Sequence, residues 1–232
     1  MQNTCRTCNR ASICLLAQLT PNTTQLLNTL QFNAKTLKRG EHLCHQGQIL
    51  NTLYILRAGS LKSYVTKANG EAFVMGFYFP PDLFGWEGLD DQQRATSIVA
   101  LDESNICIIP TEKMFALTQQ SPALGAQLLK MVSRRIHQDN VALLRTSAQQ
   151  RVATFLLQLT ERFSHIGFSN RTFQLPMKHQ DIANYLHITP NTISRIFHDL
   201  QKKKLLKLVR NTIQLCDIPQ IQMIAEMDDA II

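Results

Sequence analysis

The sequence predicts an α+β chain: a small antiparallel β-roll, then a long helix, then a winged helix-turn-helix. Three observations predict it. Between about residues 32 and 110, short β-rich runs alternate with glycines at 40, 47, 59, 70, 76, 85 and 88, the texture of a small barrel or jelly roll. Residues 121–146 then carry apolar side chains at intervals of three and four, the period of one helix face. Residues 178–200 read KHQDIANYLHITPNTISRIFHDL, with Ile182, Leu186, Ile188, Ile193 and Ile196 at the spacings that pack two short helices across a tight turn.

Composition narrows the setting. The 232 residues allow one or two domains, each large enough to bury a core. A formal charge of +7 and a pI near 9.2 favour a polyanionic partner without choosing nucleic acid over a membrane surface. No apolar run approaches the ~20 residues of a membrane-spanning helix. The start, MQNTCRTCNRASIC, is polar and cysteine-rich, unlike a secretory signal, so a cytoplasmic protein is expected. In that compartment six cysteines argue for metal or redox chemistry over structural disulfides. The expected divisions are a cysteine-rich arm (1–16), the β-roll (17–120), a dimerisation helix (121–146) and a DNA-binding domain (147–232).

In the arm, Cys5, Cys8 and Cys14 form C-x2-C-x5-C. Three thiols so close can converge on one centre, and thiolates select zinc or an iron–sulfur cluster. Cys44, Cys107 and Cys216 are the candidates for a fourth ligand. Residues 15–30 have helical spacing broken by Pro21, so two short helices are expected. Strands follow at 53–56, 61–67, 72–78, 97–101 and 105–109, with Asn69-Gly70 as a hairpin turn. Cys107 lies in the last of these between Ile106 and Ile108, where a lone cysteine usually serves as a small core residue.

Ser121-Pro122 is a cap-then-proline start for the long helix. Leu129, Val132, Ile136, Asp139 and Leu143 form the seam that a two-stranded coiled coil requires. Asp139 is its exception. Two such carboxylates facing each other in a partly dry interface would cost ~1–3 kcal/mol unless Arg134, Arg135 or His137 relieves them. The alternative is a helix that packs on its own barrel, with Asp139 in water. Ser147 and Gln150 form a Ser-x-x-Gln capping box opening a further helix to about residue 163, with Phe155, Leu156, Leu159 and Phe163 facing a core.

In residues 178–200, Thr189 suits an N-cap and Pro190 a first helical residue. His187 occupies a turn position often held by Gly. A second helix from Pro190 leaves Asn191, Thr192, Ser194 and Arg195 off the core. Such a helix lies in the major groove, where Arg forks onto guanine and Asn onto adenine. Lys202, Lys203, Lys204, Lys207 and Arg210 follow, and residues 206–215 look like a two-stranded wing turning at Arg210-Asn211. The DNA-facing set is therefore Thr189, Asn191, Thr192, Ser194 and Arg195 near bases, with Lys202 and Arg210 near phosphate. An ordinary helical hairpin with a wet, charged face is the alternative.

This order resembles the regulators that include the cyclic-AMP receptor protein and the fumarate-and-nitrate-reduction regulator. It is nearer the second, oxygen-sensing branch of that CRP/FNR family. LYILRAGSLKSYVT is similar to that branch's first β-roll hairpin, FYFPPDLFGWEGL to the loop after its next strand, and RFSHIGFSNRTFQLPMKHQDIANYLHITPNTISRIF to its DNA-binding domain. The arm followed by SNICIIP resembles the branch's cluster ligands. The resemblance implies a [4Fe–4S] cluster on Cys5, Cys8, Cys14 and Cys107. It also implies a homodimer on a palindromic operator in double-stranded DNA, RNA polymerase as a partner, and an activator of anaerobic genes. Asp139, three positions after Ile136, resembles the branch's repulsive seam residue. Cys44 and Cys216 have no counterpart role. Two departures stand out: Asn191 and Pro190 replace the branch's usual Glu and Val, and the stretch between Ile136 and Arg151 is about three residues short, nearly one helical turn.

Three other readings compete. A cyclic-nucleotide effector would use Arg94, which sits where nucleotide-binding members place a phosphate-binding Arg. However, Gly85 is followed by Trp86 rather than a ribose-gripping Glu, so Arg94 is expected to be a surface loop residue. A thiol enzyme lacks the βαβ setting for its C-x-x-C, and no Ser/His/Asp set, paired carboxylates or phosphate loop appears, so no catalysis is expected. A zinc-stabilised DNA-binding repressor without sensing would use the same four thiolates.

Overall fold

A computed structural model describes residue 14, residues 33–143, 147–165 and 169, and residues 171–226, with the backbone alone at 138–143 and 165. The helices expected over 15–30 lie outside the described residues. The chain divides into two compact units, Met1–Val132 and Ser133–Ile232.

The first unit is the expected β-roll. β1 (Asn33–Leu37), β8 (Ser104–Pro110), β3 (Thr52–Ala58) and β6 (Leu83–Phe84) form one antiparallel sheet in that order. The second sheet runs β2 (His42–Cys44), β7 (Ser97–Ala100), β4 (Leu61–Thr66), β5 (Ala72–Tyr78). The hairpin between β4 and β5 turns at Gly70, whose φ of +83° is what Gly tolerates there. Alternation sorts the side chains of the first sheet. Tyr54, Leu56 and Ile106 join Leu37, Leu61, Phe84 and Ile98 in one core cluster. Leu53, Ile55 and Ile109 face the other way and meet Leu83 in a second cluster.

That second cluster is closed by two helices. α1 (Thr111–Gln120) contributes Met114 and Leu117, and α2 (Pro122–Leu143) contributes Leu124. α1 is absent from the sequence-based expectation because it has no side-chain cap and buries only two residues. α2 begins at the predicted Pro122 and runs 22 residues, about 33 Å. β1, β2 and β6 also went unpredicted, β6 being two residues long.

In the second unit the capping box forms as expected. Ser147 N–H donates to Gln150 Oε1 at 3.0 Å and Gln150 N–H to Ser147 Oγ at 3.1 Å. α3 (Ala148–His165) follows. Next come β9 (Thr172–Gln174), α4 (His179–Tyr185), α5 (Pro190–Lys202), β10 (Leu206–Val209), β11 (Thr212–Leu215) and α6 (Ile218–Glu226). The expected two-stranded wing forms from β10 and β11, and β9, which was not expected, extends the sheet by pairing antiparallel with β11. Three residues with one buried side chain leave no readable alternation. Phe163 stacks on Phe173 at 5.1 Å, tying α3 to that strand.

Candidate DNA-reading face and cysteine site

Local chemistry sets the geometry of α5. Thr189 Oγ1 accepts the Thr192 N–H at 3.1 Å, and Pro190 is the first helical residue with no N–H to satisfy. The turn before it is a Schellman closure: Ile188 N–H donates to Ala183 O at 2.9 Å and His187 N–H to Asn184 O at 3.1 Å. His187 takes φ +53° there, the left-handed conformation that Gly usually supplies. Ile193, Ile196, Phe197 and Leu200 are buried, which turns Asn191, Ser194 and Arg195 outward. Thr189 and Thr192 spend their hydroxyls on each other at 2.8 Å, and Ser194 Oγ donates to Pro190 O at 3.0 Å. Asn191 and Arg195 therefore project from the face with side chains available to a base edge. Lys202 is exposed in the last turn of α5, and Arg210 is exposed at the wing tip with φ +54°.

Cys14 and Cys107 are both half-buried, and both pack against the apolar cluster of Leu53, Ile55 and Ile109 that Leu124 of α2 closes. Cys107 shares the parity of Ile109, so it faces the helices and not the space between the sheets. The sequence-based placement of Cys107 as an interior filler thus gives way to a partly open position. Cys5 and Cys8 lie outside the described residues. Among the described residues no three His, Cys, Asp or Glu converge as a metal site. Cys44 is 5 % exposed, and burial, the largest influence, pushes its thiol above the usual range. That keeps it protonated and inert. Cys216 is exposed.

Arg94 is 4 % exposed, which overturns its expected surface position. Its guanidinium donates to Gly85 O at 3.0 Å, Thr52 O at 2.6 Å, Thr52 Oγ1 at 2.7 Å and Tyr54 Oη at 2.9 Å. The fork that would hold a phosphate is taken up by neutral acceptors inside the roll. Beside it, Trp86 packs onto the same cluster as the two cysteines. These residues do not fit a cyclic nucleotide.

α2 carries two apolar faces. Leu124, Leu128 and Met131 pack on the β-roll cluster, whereas Leu129 is 73 % and Ile136 56 % exposed. Val132 between them is half-buried. The side chains of Asp139 and Leu143 lie outside the described residues. Nothing in the sequence singles out Arg151, although its guanidinium reaches the turn before α5.

A β-roll followed by a winged helix-turn-helix defines a DNA-binding regulator. Residues 34–121 match the family model described as cyclic nucleotide-binding domain, and residues 150–224 the Crp-like helix-turn-helix domain. The chain is 33% identical to transcriptional activator protein Anr of Pseudomonas protegens, over 94% of this chain and 90% of that protein. It is 32% identical to the fumarate and nitrate reduction regulatory protein of Vibrio cholerae, over 88% of this chain and 83% of that one. FixK2 of Bradyrhizobium japonicum shares the fold at a TM-score of 0.76 and 20% identity, covering 86% of this chain and 100% of that chain. The chain belongs to the CRP/FNR family and is a transcriptional regulator of FNR/Anr type, not an enzyme. Among the described residues no helix is long and apolar enough to cross a membrane.

Proposed function

We propose that this chain is an oxygen-responsive regulator that binds promoter DNA as a homodimer while a [4Fe–4S] cluster on Cys5, Cys8, Cys14 and Cys107 is intact. The observation that carries the reading is the shared seat of Cys14 and Cys107 on the cluster that α2 also closes. Four thiolates suit an iron–sulfur centre, and when bound it supplies an oxygen-labile crosslink between arm and β8. β8 ends at Pro110 and α1 begins at Thr111, so the strand carrying Cys107 leads directly into the helices. Leu124, Leu128 and Met131 would register any displacement of Cys107, because they pack on the same apolar cluster. Leu129, Val132 and Ile136 offer a separate face to a second copy. Asp139 would keep that dimer weak, so that a modest bias decides it.

Dimerisation sets two reading helices about one helical turn of DNA, ~34 Å, apart, as a palindromic operator requires. Arg195 forks onto guanine and Asn191 onto adenine, with Thr192 and Ser194 beside them. Lys202 and Arg210 contact phosphate, which gives affinity without sequence choice. Asn191 in place of the branch's Glu directs the half-site toward adenine at that position. Bound at a promoter, the dimer would act on RNA polymerase in anaerobic gene control.

Metal analysis of protein purified without oxygen tests the assignment. Iron and sulfide near four per chain support it. Stoichiometric zinc, stable in air, would instead support the DNA-binding repressor with no sensing role.

A further inference from the structure

We infer that Arg151 is the positioning residue of the DNA-reading helix, acting as a strut that holds the helix-turn-helix turn in its left-handed form. This rests on the DNA-reading assignment of α5. One guanidinium nitrogen of Arg151 donates to Leu186 O at 2.9 Å and to His187 O at 3.4 Å. Leu186 is the C-cap of α4, and His187 is the left-handed residue that closes the turn. A helix C-terminus leaves carbonyls without partners and carries negative potential, so a cation is well placed there. At this turn the left-handed residue is not Gly. Gly at such a position adopts φ +53° freely, but His carries a Cβ that disfavours it.

Two further observations support a strut. Arg151 Nε is buried with no hydrogen-bond partner among the described residues, a cost the side chain bears while its other nitrogen reaches those carbonyls. Arg151 also stands at the first turn of α3, where its N–H donates to Ser147 O at 3.1 Å beside the capping box. The same turn of α3 that begins the DNA-binding domain is thereby bonded to the turn from which α5 starts. Thr189 caps α5 two residues after His187, so a shift at His187 changes the direction in which Asn191 and Arg195 project.

The experiment uses full-length protein, prepared without oxygen, with R151M, H187G and the double variant. R151M keeps an apolar stem and removes only the donors. Two probes serve: a duplex bearing the inverted repeat that the wild-type protein selects from random sequence, and a scrambled duplex of equal length. R151M should lose about fivefold to tenfold in affinity for the inverted repeat and less than twofold for the scrambled duplex. Its salt dependence should match the wild type, because Arg151 touches no phosphate. H187G should bind as the wild type does, and R151M/H187G should recover most of the loss, since Gly needs no strut. Equal loss on both duplexes with a shallower salt slope would make Arg151 a phosphate contact and overturn the inference. So would a double variant as weak as R151M, or an R151M that melts lower yet keeps its preference for the inverted repeat. A wild-type protein that selects no repeat would instead remove the DNA-reading assignment itself.

Discussion

The turn between α4 and α5 is closed by hydrogen bonds among near neighbours: Ile188 to Ala183, His187 to Asn184, Thr192 to Thr189. The seat of Cys107 is made the opposite way. β8 pairs Cys107 with Ala34 of β1 and Ile55 of β3, both far upstream, and Cys14 joins the same apolar cluster from further still. The difference follows from the tasks. A reader must present Asn191 and Arg195 in one fixed geometry, so short-range caps and turns set it, and the Arg151 guanidinium from α3 adds to them. On the proposed reading the sensor must change state, and a cluster would join these distant segments by a tie that chemistry can cut.

The largest expected effect breaks the sensor half alone. Ser at Cys5, Cys8, Cys14 or Cys107 should abolish the iron and the anaerobic dimer, while C44S and C216S leave both in place. Iron assay with sedimentation checks this, and full iron in C107S would refute the ligand set. D139A comes next. Removing a facing pair of carboxylates worth ~1–3 kcal/mol should tighten the dimer by about fivefold to 150-fold. The dimer should then survive air, and an unchanged sedimentation profile would count against the seam. On the reader, R195A should cost about 1–3 kcal/mol at one base position. Binding to single-base operator variants separates that from a uniform loss, which would mean a phosphate contact. K202A should weaken binding to all sequences alike and reduce the salt slope by about one.

The smallest effect concerns β2. Burial first, then the charges of His45 and Lys62, hold the His42 imidazole below its ordinary range, and its Nε2 lies 2.9 Å from Tyr64 Oη. The unfolded chain therefore takes up this proton before the folded one does. The contribution is present above about pH 6.5 and is lost as pH falls through the lowered native value. H42Q should flatten that part of the stability profile, measured by urea unfolding between pH 7.5 and 5.5. A slope identical to the wild type would show that other groups set it.

The same contrast explains what the sequence made legible. Thr189-Pro190, the Ser147–Gln150 box and Asn69-Gly70 are local chemistry, and each forms where its residues stand. The exposed Leu129 and Ile136 follow from spacing along α2. Arg94 misleads because Asp90, Asp91, Gln92 and Gln93 before it look like a wet loop, while its acceptors Thr52 and Tyr54 lie forty or so residues upstream. β9 is invisible until β11 pairs with it. The sulfur at Cys107 belongs to the same class. Spacing left it one of three candidates for a fourth ligand, and only pairing across β1, β8 and β3 sets it on the face toward the helices.

The central claim is that one oxygen-labile tie controls both assembly and DNA binding. It is tested most directly by following visible absorbance, molecular mass and operator binding together as air is admitted to protein prepared without oxygen. The account predicts that the colour bleaches while the dimer falls to monomer and the operator is released over the same interval. Colourless starting protein, or an operator held equally well with and without iron, would contradict it.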